Sequence, residues 1–161
     1  MRVMGMSKRY RFTKEDFKII TQWVHENIDE NIEVAKSDRF ECDTDEEIIY
    51  LSNKRYTKLD AYFDKWYQKQ DFYTPIQYTL ICILHEIGHI MTKDDDLLEQ
   101  GHALNEMYRF MYDYGSINEE QLNFAYFDIP SETLATQWGV EYYKEHKQEC
   151  DKLAEMVGLI G

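Results

Sequence analysis

Three residues whose chemistry is hard to explain as packing share one pentapeptide: His85, Glu86 and His89, in the order His-Glu-Ile-Gly-His. Helical positions four apart lie on one face, about one turn apart, so both imidazoles can grip one metal ion through ring nitrogens about 2.0–2.1 Å from it. Glu86 is offset around the same face. It can reach a water at the metal without ligating the metal, which is where a general base must stand. An HExxH string arises by chance on the order of once in 200 chains of this length.

The surroundings of the pentapeptide favour a site. Between Thr74 and Met91 the one formally charged side chain is Glu86, although 30% of all residues are charged. Burying an ionisable group in such a segment is costly unless it is paired or bound to a metal. Thr74 reads as a helix cap and Pro75 as the first helical residue, with the helix running to about Thr92. Gly88 in mid-helix costs about 1 kcal/mol relative to Ala, which suggests that another element packs closely there. We therefore expect a buried helix carrying zinc, with His85 and His89 as ligands and Glu86 as general base.

A catalytic zinc usually has a third protein ligand. A histidine six residues after His89 is absent, since Asp95 stands there, and His102 has no comparable spacing. A carboxylate from a later helix is the expected source. Glu132 is the first choice: it lies in the first turn after Pro130-Ser131, and Ala135, Trp138, Gly139 and Tyr142 follow at helical spacing. Small residues at 135 and 139 would let that helix approach Gly88. Glu106 and Glu99 are the main rivals, with Glu119, Glu120 and Glu141 behind them.

Other elements must position these groups. Thr13 to Asp16 reads as a helix start, followed by Phe17, Ile20, Val24 and Ile28 at helical spacing and by Trp23; His25 beside them reads as structural. Residues 32–34, 39–42 and 48–51 read as a small, mostly antiparallel sheet of about three strands, with a hairpin turn at 43–47. Helices are expected over 56–70, 97–114, 118–127, 131–146 (capped by Ser131) and 148–157. The predicted fold class is α+β, one domain spanning 1–161.

Composition narrows the function. The chain has 161 residues, 43% of them hydrophobic, and 31 Asp and Glu against 18 Lys and Arg give a net charge of −13. Such a field repels phosphate backbones, so nucleic-acid binding is not expected. The only notable basic cluster, Lys8-Arg9-Arg11, is small. Cys42, Cys82 and Cys150 form no CxxC pair, which fits a reducing compartment. No signal-peptide pattern and no membrane-length apolar run is present, so the expected location is cytoplasmic with no membrane partner.

The pentapeptide His85–His89, followed some forty residues later by SETLATQWGVEYY, resembles the small gluzincin metallopeptidases of the ImmA/IrrE type, common in bacteria and mobile elements. In that family an E-x-E-A-N-x-F-A-like segment on a later helix supplies the third zinc ligand. Glu132, Ala135, Trp138 and Gly139 match its glutamate, alanine, aromatic and small positions, whereas Leu134 and Thr136 depart from its second acidic residue and its asparagine. The resemblance implies a zincin-like fold, with a small sheet on the HExxH helix and an edge strand along the cleft. Residues 48–51 are the segment expected to hold a peptide by β-addition. It also implies hydrolysis of a peptide bond in an intracellular protein substrate, such as a regulator. A tyrosine or histidine often steadies the oxyanion in such enzymes, and Tyr126, Tyr108 and Tyr142 are all available. The alternative is a catalytically silent zincin-fold module whose acidic surface engages a basic partner.

Overall fold

The computed structural model describes residues 12–52 and 75–158. Six helices and one three-stranded sheet make up these residues: α1 (Lys14–Asn27), β1 (Glu33–Ser37), β2 (Glu41–Asp43), β3 (Ile48–Ser52), α2 (Pro75–Met91), α3 (Asp95–Asp113), α4 (Glu119–Phe127), α5 (Pro130–Glu145) and α6 (Lys147–Met156). The expected α+β class is observed. The helix expected over 56–70, the Thr74 cap and the basic cluster at 8–11 lie outside the described residues.

Local signals set most helix ends. Thr13 and Asp16 exchange side-chain and backbone hydrogen bonds in a reciprocal cap of 3.1 and 2.8 Å. Asp94 caps α3, and Asn118 caps α4 in the same reciprocal way with Gln121. The start of α5 differs from expectation. Ile129 occupies the cap position, Pro130 is already helical, and no side chain caps the helix. Proline tolerates that place because its missing N–H would have no partner in a first turn. Ser131, freed from capping, instead faces Gly101 of α3.

The sheet order is β1-β3-β2, with β1 parallel and β2 antiparallel to β3. Two expectations are thereby corrected. The sheet is mixed rather than mostly antiparallel, and residues 48–51 form its central strand, not an edge. The reason is burial: Ile49 and Leu51 are fully inaccessible, and the strand richest in apolar residues takes the place covered on both sides. The charged Glu33, Lys36, Glu41 and Asp43 fall on β1 and β2, where edges tolerate charge. The expected hairpin turn at 43–47 is present: the Asp43 carboxylate accepts from the backbone N–H of Asp45 and Glu46. Glu47 closes the turn at φ 55°.

The core gathers around α2. Leu80, Ile81, Cys82, Ile83, Leu84 and Ile87 are all buried, as expected for a helix that is apolar on every side. Among the described residues the most extensive packing between elements is α2 against α5. Gly88 and Gly139 explain it. A Cβ on Gly88 would run into the backbone carbonyl of Ala135, and one on Gly139 would come within 3.2 Å of the His85 nitrogen and Leu84. The Lys93 ammonium meets Asp45 at 3.0 Å and ties the β2–β3 turn to the end of α2. No described helix is long and apolar enough to cross a membrane.

Candidate metal centre

The α2–α5 crossing brings three expected ligands together. His85 and His89 project from successive turns of α2, and Glu132 enters from the first turn of α5. The Nε2 atoms of His85 and His89 are 3.1 Å apart. Glu132 places Oε1 3.3 Å from His85 Nε2 and Oε2 3.0 Å from His89 Nε2. A tetrahedral metal with bonds of about 2.0–2.1 Å sets its ligand atoms about 3.3 Å apart. The donor set fits: two imidazoles and a carboxylate converge at separations a single ion would bridge, as the grouping of His85, His89 and Glu132 makes plain. The rivals are elsewhere. Glu99, Glu106, Glu119, Glu120 and Glu141 are exposed, as is His102, whereas Glu132 is only 8% accessible. His25 bonds the Ile32 carbonyl at 2.7 Å, a structural contact.

Thr136 sets the tautomer of His85. Its hydroxyl donates to the Glu132 carbonyl at 3.0 Å, one turn back along α5. A hydroxyl has one proton, so at the 2.8 Å contact with His85 Nδ1 it must accept. Nδ1 therefore carries hydrogen, and the Nε2 lone pair of the neutral ring faces His89 and Glu132. Outer hydrogen bonds of this kind orient metal ligands and raise their basicity. In the sequence Thr136 stands out only as a departure from the asparagine of the family segment. Its position four residues after Glu132 is the signal that could have found it, because that spacing puts both on one face of α5. Thr136→Val keeps the shape and removes the acceptor, so metal affinity should fall about 10- to 100-fold, read by competition with a chromophoric chelator. Thr136→Ser should retain most of it.

Glu86 is buried beside this group without joining it. Its Oε2 lies 3.9 Å from His85 Nε2, outside the ligand cluster. Burial raises its carboxyl above the ordinary 4.5, against the pull of His85 and His89, which makes it a better proton acceptor. Cys42 on β2 is pushed up to about 12, by burial first and then by Glu86, Asp43 and Glu132. It stays a thiol, and β2 packs against α2, the helix that carries His85, Glu86 and His89. Among the tyrosines, Tyr126 has its phenol pushed above the ordinary 10, by burial of the hydroxyl first and then by Glu132 and Glu86, although the residue as a whole is 39% exposed. Tyr142 points elsewhere, its hydroxyl 3.4 Å from the Asn27 carbonyl and its ring stacked on Trp138 and His146.

Without metal, protons do part of an ion's work. Burial alone would lower His85, but hydrogen bonding to Glu132 and the charges of Glu86 and Glu132 raise it above 6.5. Burial alone would raise Glu132; its bonds to both histidines hold it well below 4.5. The sign of each contribution follows. The raised His85 stabilises the metal-free fold fully below about 6.5 and loses that effect as pH rises through its folded pKa. The depressed Glu132 contributes above about 4.5 and loses its effect as pH falls through its own. A metal must displace the His85 proton. The gain in melting temperature on adding metal should therefore grow from pH 5.5 to pH 8. A gain independent of pH would contradict this proton competition.

The fold and site thus define an α+β protein with a His-His-Glu group positioned to hold a metal ion. Compared with known protein families, with curated proteins and with solved structures, the chain matches none.

Proposed function

We propose that this chain is a zinc-dependent metallopeptidase of the small gluzincin type, with a zincin-like fold, acting on a protein or peptide substrate in the cytoplasm. The observation that carries the reading is the convergence of His85, His89 and Glu132 with Glu86 buried alongside but outside the ligand set. Metal binding alone needs no second carboxylate there. Hydrolysis does.

His85, His89 and Glu132 would hold the zinc, which when bound lowers the pKa of a water to about 7 and polarises a carbonyl. Glu86 takes the proton of the attacking water and delivers it to the leaving amine. Tyr126, whose phenol is raised by burial and by Glu132 and so keeps its proton, is our choice for the donor to the substrate oxyanion. The outer edge of β2, which among the described residues pairs only with β3, offers backbone groups to an extended peptide. This role moves from residues 48–51 to Glu41–Asp43.

Metal analysis with a peptide-library assay read by mass spectrometry tests the proposal. The purified chain should hold one zinc, cleave peptides, lose activity to a chelator and regain it with zinc. Glu132→Ala should bind zinc roughly 100-fold more weakly, beyond the usual cost of losing an outer partner. Native affinity in that variant would move the third ligand elsewhere, and zinc binding without any cleavage would favour a binding module.

A further inference from the structure

The α3–α4 hairpin carries an apolar stripe that the metal centre does not use. α3 is 19 residues long, and Gly101 is its one fully buried position. Met107 is 47% exposed, Phe110 61% and Tyr114 74%. They recur at i, i+3 and i+7, on one side of the helix, with Ala103 in line behind them. The Phe110 and Tyr114 rings lie 4.4 Å apart at 33°, forming a broad plate. Glu99, Glu106 and Asp113, all exposed, repeat every seven residues along one border of the stripe. Between Asp94 and Asp128 there are nine Asp and Glu against one Arg, so this fifth of the chain carries −8 of the net −13.

We propose that this hairpin docks a basic amphipathic helix of a partner protein. The partner's apolar side chains, spaced i, i+3/i+4 and i+7, lie on Met107, Phe110 and Tyr114, and its Lys or Arg residues face Glu99, Glu106 and Asp113. This is helix recognition with a charged rim, in which apolar contact holds the complex and charge sets orientation and encounter rate. A second copy is the wrong occupant, because it would bring another hairpin of net charge −8 against the first. Nucleic acid is repelled by the same field. The inference stands apart from the metallopeptidase reading, since none of its residues belongs to the metal centre.

The probe is a fluorescein-labelled 18-residue peptide of Leu and Lys with all Leu on one helical face, titrated with the full chain and followed by anisotropy. Binding is expected, at least tenfold weaker at 300 mM than at 50 mM salt. It should weaken at least tenfold with Met107→Ala/Phe110→Ala, and likewise with Glu106→Lys/Asp113→Lys. A peptide of equal composition with Leu spread around the helix should bind at least tenfold less tightly. All four substitutions are at exposed positions, and far-UV circular dichroism checks the fold; if one pair disturbs it, the other carries the test. Equal binding of the scrambled peptide, unchanged binding by a folded double variant, or no binding at all would overturn the proposal. So would a dimer in sedimentation that Met107→Ala/Phe110→Ala dissolves, which would assign the stripe to self-association.

Discussion

Replacing Glu86 by Gln should leave zinc affinity within about threefold of the parent while peptide hydrolysis falls by roughly 10²–10⁴, the usual contribution of a general base. The asymmetry follows from position. Glu86 lies 3.9 Å from the nearest ligand nitrogen and outside the ligand cluster, so removing its charge takes nothing from the metal's donor set. On the proposed mechanism, what disappears is the acceptor for the water's proton. Gln is nearly isosteric and can still hydrogen-bond, so the buried position is not left empty. Burial already lifts the Glu86 carboxyl above its ordinary range, so the amide should be tolerated at least as well as the ion. The melting temperature of the metal-free variant should therefore match or exceed that of the parent. Metal titration, single-turnover hydrolysis and thermal unfolding on one preparation separate the effects. Full hydrolysis with zinc retained would refute the assigned mechanism, and loss of zinc would make Glu86 a ligand.

What could be read from the sequence was whatever local spacing dictates. The i, i+4 histidines, the apolar helix around them and the reciprocal cap at Thr13 depend on residues a few positions apart. Glu132 was within reach because Ala135 and Gly139 advertise a close helix approach, and Gly88 advertises the other side. Strand order was not legible. It depends on which strand the whole core covers, although the contrast between Ile49 and Leu51 on β3 and the charges of Glu41 and Asp43 on β2 contains the answer in retrospect. The role of Thr136 was hidden for a related reason. Its hydroxyl acquires meaning only when α5 is rotated so that Nδ1 of His85, 51 residues earlier, meets it. The choice among tyrosines likewise needed the fold, because the influence of Glu132 on the Tyr126 phenol cannot be read from spacing along the chain.

That dependence on one helix crossing makes Gly88→Ala the most damaging small substitution expected in the protein. On propensity alone it should stabilise α2 by about 1 kcal/mol. Packing wins instead, because the new methyl runs into the carbonyl of Ala135 and would sit 3.0 Å from its Cα. The obstacle is backbone, so no rotamer change can relieve it, and α5 must move away. Overpacking of this kind costs typically about 1–3 kcal/mol and occasionally more. With no yielding side chain we expect a net loss of roughly 2–3 kcal/mol, seen as a fall of about 5–10 °C in melting temperature. The site should suffer more than the fold. A shift of α5 carries Glu132 and Thr136 with it, lengthening donor separations that now stand at 3.0 and 3.3 Å, so zinc affinity should fall at least 100-fold. Ala135→Gly should not rescue it, since the offending atoms remain. Gly101→Ala is the control: its methyl would meet Ser131 Oγ at 2.8 Å and the Ile129 Cγ2 methyl at 3.2 Å, side chains and not backbone, so the loss of stability should be smaller and metal affinity should stay near that of the parent. If Gly88→Ala binds zinc as tightly as Gly101→Ala does, the close α2–α5 approach is not what assembles the centre.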